Sequence, residues 1–230
     1  NGSLSFPEGV ARSNVFLTQE AFVDVSGTEG GNITVNAGDV EISGNSELQT
    51  GTFADTGLSE GQSGDILLNA TGAVEIDAST IDSGVEIGNA GNIKISASSF
   101  SLTNDGEITN STFGKGNAGN VTISANNNVQ LSNADIFSNV VAGAEGKGGQ
   151  IKIDTGNLYL KAGAQIQTIV RKADKENSLA GGIGDAGNIV VNARGNVAIN
   201  GVSNDDNQFP SGLRSNVGSG AKGNGGNIEI

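Results

Sequence analysis

Glu41 and Glu75 pose the sharpest chemical question in this 230-residue sequence. They occupy matching triplets, Val40-Glu41-Ile42 and Val74-Glu75-Ile76. If such triplets are strands stacked in register, their backbones lie ~4.8 Å apart and the carboxyls can reach the ~5 Å separation of a retaining glycosidase pair. The same row continues as Ser101, Gln130, Tyr159 and Ala198, with no aromatic platform beside the acids. Solvated outward glutamates are therefore the expectation, and no catalytic residue is assigned. Absence of histidine and cysteine excludes Ser-His-Asp and Cys-His catalysis and the common zinc and copper sites. Calcium is the softer candidate. Asp55 and Glu60, Asp174 and Glu176, and the run Asn204-Asp205-Asp206-Asn207 offer oxygen ligands, but none matches a nonapeptide or EF-hand calcium motif. No metal site or cofactor is assigned.

Binding chemistry gathers in the irregular stretches instead. Two projecting loops are expected, at 171–186 and 203–212. The first opens with Arg171, Lys172 and Lys175, and the second carries Phe209. Phe137 and Tyr159 are expected to point outward in adjacent coils and to form a small aromatic contact for sugar or protein. These six residues are the candidate ligand-binding set, because long loops on a repeat scaffold commonly carry recognition.

What positions them is a phrase that recurs seven times: GGNITV, SGDILL, AGNIKI, AGNVTI, GGQIKI, AGNIVV and GGNIEI. Its glycines are Gly31, Gly64, Gly91, Gly119, Gly149, Gly187 and Gly226, spaced 27 to 39 residues apart. That period is the mark of a solenoid, in which each repeat buries its apolar residues only against its neighbours. A second apolar-x-apolar triplet starts nine or ten residues after each of the first six glycines, from Val40 to Val197. A third apolar residue follows seventeen residues after the glycine at Leu48, Ile81, Ile108, Ile136 and Ile166, whereas Leu213 is displaced to twenty-six. Period two within each triplet, β-branched residues and intervening Gly, Asn, Asp and Ser predict strands. The fold class is all-β: a parallel β-helix with three short strands per coil and about seven coils, right-handed by the general crossover preference. The variable spacing predicts one free loop, between the third strand and the next phrase. The whole of 1–230 reads as a single β-helix segment, a fragment of a longer rod.

Two polar rows are expected to be structural. Asn32, Asp65, Asn92, Asn120, Gln150, Asn188 and Asn227 follow the repeat glycines and can form a side-chain ladder, with Asp65 accepting from donors at Asn32 and Asn92. Thr50, Ser83, Asn110, Ser138, Thr168 and Ser215 face the same side as the third-strand aliphatic and should bond to nearby backbone. The outward third-strand row, Gln49, Asp82, Thr109, Phe137, Gln167 and Arg214, is too irregular for an ice-binding threonine grid. Net charge −13 argues against nucleic acid and anionic membrane, and no run of apolar residues is long enough for a membrane span.

The phrases AGNIKI, AGNVTI and AGNIVV, followed by Ser96-Ala97, Ser124-Ala125 and Asn192-Ala193 and then another apolar-x-apolar strand, resemble the repeat region of filamentous-haemagglutinin-type exoproteins. These are β-helical passengers of two-partner secretion, abundant in cyanobacteria and other Gram-negative bacteria. The resemblance covers roughly residues 15–230. The Asn-Pro-Asn motifs of that family's secretion domain are absent, since neither Pro7 nor Pro210 supplies one. The resemblance implies a secreted or cell-surface rod, structural or adhesin-like rather than enzymatic, with a glycan, a cell-surface protein or further copies of the rod as partners. A polysaccharide-acting lyase or glycosidase is the alternative.

Overall fold

The computed structural model describes residues 11–52, 61–206 and 208–230. Every described strand belongs to one repeating pattern, and the described residues contain no helix. The aliphatic triplets form three rows of parallel strands. The first row runs through Ile33–Ala37, Ile66–Ala70, Ile93–Ala97, the start of Val121–Phe137, the start of Ile151–Lys161, Ile189–Ala193 and Ile228–Glu229. Within it, Ile33, Ile66, Ile93, Val121, Ile151, Ile189 and Ile228 are successive register partners. The second row stacks Val40, Val74, Phe100, Val129, Leu158 and Val197. The third stacks Leu48, Ile81, Ile108, Ile136, Ile166 and Leu213. Val15–Leu17 and Phe22–Asp24 pair with the second and third rows, as their spacing predicts. The result is a parallel β-solenoid of about five turns, slightly fewer than the seven coils expected from the phrases.

Alternation buries one side of every strand. Ile93, Ile95, Leu102 and Ile108 are fully buried in one coil, with Phe100 at 2% exposure, while the intervening Lys94 is exposed. The corner between the second and third rows turns through a left-handed residue in successive coils: Asn45, Ala78, Asn104, Asn133 and Ala162 all have φ between 46° and 59°. Asparagine tolerates that region, whereas alanine is strained there by roughly 1–2 kcal/mol. A second left-handed residue, Gly44, Asp105 or Gly163, adjoins it where the two rows lie eight residues apart, and none does at Ala78 and Asn133, where they lie seven apart.

The segment after the third row is not simply free, which corrects the sequence reading. Thr52, Val85, Thr112, Val140, Val170 and Val217 stack as a fourth column, and Val140, Val170, Ala144 and Ala186 form a second, smaller core. Ile87, Lys115, Glu145, Ile183 and Lys222 stack as a fifth. Residues 183–186 therefore belong to the stacked wall, and Gly212 opens the strand Gly212–Arg214. Only the middle of each proposed loop projects.

A second glycine column closes the coil. Gly88, Gly116, Gly146, Gly184 and Gly223 each sit so close to the preceding rung that a Cβ would overlap the carbonyl oxygen of Gly61, Gly88, Gly116, Gly146 and Gly184 respectively. The phrase glycines are equally tight, since a Cβ on Gly149 would overlap the carbonyl of Gly119. Close backbone approach, rather than turn conformation alone, demands glycine at Gly149.

The polar rows hold these corners together. At five of the six steps the side-chain oxygen of a ladder residue accepts the backbone N–H of the next rung, the step from Gln150 to Asn188 being the exception: Asp65 N to Asn32 at 2.7 Å, Asn92 N to Asp65 at 2.7 Å, Asn120 N to Asn92 at 3.2 Å, Gln150 N to Asn120 at 2.8 Å and Asn227 N to Asn188 at 2.8 Å. Asp65 receives a carboxamide donor from Asn92 only; toward Asn32 it donates its own backbone N–H. The second polar row bonds to backbone as expected except at Ser83, whose hydroxyl meets that of Ser63 instead. Thr50 donates to Gly31 O at 2.9 Å, Asn110 to Gly91 O at 2.8 Å, Ser138 to Gly119 O at 2.8 Å, and Thr168 and Ser215 to Gly187 O at 2.7 and 2.6 Å. A further ladder, Asn89 to Asn117 to Lys147 N, runs alongside.

Candidate binding groove

The outward side of the third row is where the irregular chain gathers. Its outward positions form two columns, Glu47, Thr80, Glu107, Asp135, Gln165 and Gly212, and Gln49, Asp82, Thr109, Phe137, Gln167 and Arg214. On a plain solenoid these would be solvated. Here Gln165 and Gln167 are 6% and 5% exposed, because neighbouring chain covers them.

The first insertion leaves and returns at one root. Arg171 N donates to Val140 O, and Gly182 N donates to Arg171 O at 3.0 Å. Beyond it Asp174 and Leu179 exchange backbone hydrogen bonds at 3.0 and 2.8 Å, closing a short hairpin. The Asp174 carboxylate accepts the N–H groups of Glu176 and Asn177 and the Asn177 amide, which holds its pKa below the usual carboxylate range. The second insertion is pinched between Val202 and Pro210, and Asp205 accepts from the Ser203 hydroxyl and Gln208 N. These aspartates build turns. Among the described residues no cluster of three or more carboxylates is placed to hold a metal ion; of the other acidic loop residues weighed for calcium, Asp55, Glu60 and Asn207 lie outside the described residues.

Between the insertions runs a groove of two adjoining cavities. One, of about 900 Å³, is lined by the third row, by Phe113 and Val141, and by the hairpin with Arg171, Lys172, Lys175 and Leu179. The other, of about 410 Å³, is lined by Asp105, Glu107, Asp135, Gln165, Gln167, Arg171, Asp205, Phe209 and Arg214, among others. Glu107, Phe137 and Arg171 belong to both walls and mark the divide. Five of the six candidate binding residues thus meet at one groove. Tyr159 does not. It lies on the second row with the Lys161 ammonium 5.9 Å from its ring, while Phe137 lies on the third with the Arg171 guanidinium 5.3 Å from its ring. The expected aromatic pair is replaced by two separate cation–π contacts, each worth about 0.5–2 kcal/mol by its degree of burial.

Charge in the groove is organised around Arg171. Glu107 and Asp135 are register partners on adjacent rungs. Burial raises the pKa of Glu107, and the Asp135 and Asp82 charges raise it further against the pull of Arg171. Burial likewise raises Asp135, against a hydrogen bond from Gln165 N and the charge of Arg171. Asp82, one rung beyond, is pushed up to about 6, mainly by burial. Burial lowers the pKa of Arg171 itself while Glu107 and Asp135 support its charge.

Sequence reading missed Phe113, Glu107, Asp135, Gln167 and Arg214, since outward positions on a repeat look solvated until the insertions are placed. Glu41 and Glu75 are register partners, as expected, but Glu75 is exposed, Glu41 accepts from the Ser43 hydroxyl at 3.0 Å, and neither lines the groove. Comparison with protein-family models, curated proteins and solved structures gave no match for this chain.

Proposed function

We propose that this chain is part of a secreted or cell-surface structural rod that recognises a glycan through the groove on its third face. One observation carries the reading: two insertions separated in sequence fold onto the same face and bring Phe137, Arg171, Lys172, Lys175 and Phe209 around adjoining cavities of about 900 and 410 Å³. A pocket of this size, part apolar and part fixed polar groups, is the ordinary form of a small-ligand site. The parallel stack supplies rigidity, because each rung is held by backbone ladders, glycine contacts and side-chain bonds from both neighbours. Surface display follows from the resemblance to filamentous-haemagglutinin-type repeats.

The test is adhesion of the folded chain to immobilised glycans and to bacterial or host cell surfaces. Its partner is a variant in which Lys175–Ser178, the tip of the hairpin, is replaced by Gly-Gly. Replacing only the tip keeps Ala180 O, which accepts from Gly143 N, and Gly182 N, which donates to Arg171 O. Circular dichroism should be unchanged and adhesion should fall severalfold. Undiminished adhesion by the folded variant would overturn the assignment of the groove. Depolymerisation of a polysaccharide by the parent chain would favour the enzymatic alternative.

A further inference from the structure

The smaller cavity combines features that together define the chemistry of an occupant. Gln167 is 5% exposed, its Oε1 has no hydrogen-bond partner among the described residues, and its amide group donates to Gln165. A buried acceptor left without a donor is costly and is retained where something else supplies the donor. Glu107, on the same wall and partly exposed, accepts no protein hydrogen bond among the described residues, so its carboxylate is open to a donor from a ligand. Arg171 and Arg214 line the same cavity, and a guanidinium fork needs acceptors. Phe137 and Phe209 supply apolar faces.

Building on the glycan reading above, we infer that this cavity is a subsite for an uncharged, hydroxyl-rich sugar unit, bound through Gln167, Glu107 and Arg214. A sugar hydroxyl both donates and accepts, so vicinal hydroxyls satisfy carboxylate, amide oxygen and guanidinium at once. C–H patches of the ring pack on the phenyl faces. An anionic sugar would confront the carboxylates of Asp105, Glu107, Asp135 and Asp205, and a cationic one would confront Arg171 and Arg214. Neutrality is the only charge state that leaves neither set facing its like.

The experiment is calorimetric titration of the folded chain with uncharged hexasaccharides (cello-, malto- and mannohexaose), with hexagalacturonate and with a glucosamine hexamer. Gln167→Leu and Glu107→Gln are titrated alongside, after circular dichroism and melting. An uncharged hexamer should bind, and each variant should weaken it about tenfold, the scale of one lost net hydrogen bond. Gln167→Leu removes the unpartnered acceptor but also the amide that donates to Gln165, so the two effects offset and it should melt close to the parent temperature; a large loss of melting temperature would mark a structural glutamine and count against the inference. Binding confined to the charged hexamers overturns the inference, as does neutral binding that both folded variants retain. If the hairpin-tip variant loses adhesion while these variants keep it, the subsite is wrong and the groove reading stands. If the parent adheres to no glycan, both fall.

Discussion

Replacing Ser138 by alanine should cost several times more than replacing Asn120, although both are single polar residues in equivalent structural rows. Ser138 is fully buried; its hydroxyl donates to Gly119 O and accepts from Gly149 N, each at 2.8 Å. Both glycines are buried, and no other hydrogen bond to either group exists among the described residues. Alanine therefore strands one backbone acceptor and one backbone donor, at about 1–3 kcal/mol for each buried unsatisfied group. The expected loss is about 2–6 kcal/mol. Asn120 makes comparable bonds, accepting Gln150 N at 2.8 Å and donating to Asn92, but it is exposed, so water replaces what alanine removes. Its expected loss is about 0.5–1 kcal/mol. Ser138→Thr keeps the hydroxyl in a row that already holds Thr50 and Thr168, and it should stay within about 1 kcal/mol of the parent. Urea unfolding followed by circular dichroism at 218 nm, an ordinary β-sheet wavelength, gives all three values. A parent-like midpoint for Ser138→Ala, or equal losses for Ser138→Ala and Asn120→Ala, would refute the argument that burial rather than bond count sets the value of these corners.

Two further outcomes are expected. Ile93 is fully buried between Ile66 and Val121, so Ile93→Asp should destabilise by more than about 4 kcal/mol and broaden or abolish the unfolding transition; a parent-like melt would contradict the register. Asp82 has a folded pKa raised from 3.8 to about 6 by burial, so its contribution to stability is full below its unfolded pKa and is lost as pH rises through about 6. Asp82→Asn keeps an acceptor for Gly84 N, which sits 2.6 Å from the Asp82 carboxylate. It should match the parent near pH ~3.5 and exceed it above pH ~7 by on the order of 1–3 kcal/mol; unfolding midpoints that move in parallel for the two proteins at both pH values would count against the assignment.

Much of the fold was legible in residue spacing. Period-two aliphatics at fixed offsets from Gly31, Gly64, Gly91, Gly119, Gly149 and Gly187 are enough to define three stacked rows, because each inward position must meet its equivalent one coil away. More was written there than the phrase alone suggests. Gly61, Gly88, Gly116, Gly146, Gly184 and Gly223 each precede a phrase glycine by three residues, and Thr52, Val85, Thr112, Val140, Val170 and Val217 each follow a third-row aliphatic by four. Those fixed offsets encode the second glycine column and the fourth stacked side, which the variable length between phrases obscures. The groove is different in kind. Arg171 and Phe209 could be marked as residents of irregular stretches, but nothing periodic says which way an insertion folds. Only the packed structure lays both insertions across the third row, places Arg171 over Phe137 beside Glu107 and Asp135, and buries Gln167 without a partner for its oxygen. Repetition makes the shaft predictable, since every coil sees the same neighbours; the insertions have no counterpart above or below them, so their chemistry is decided by a single set of tertiary contacts.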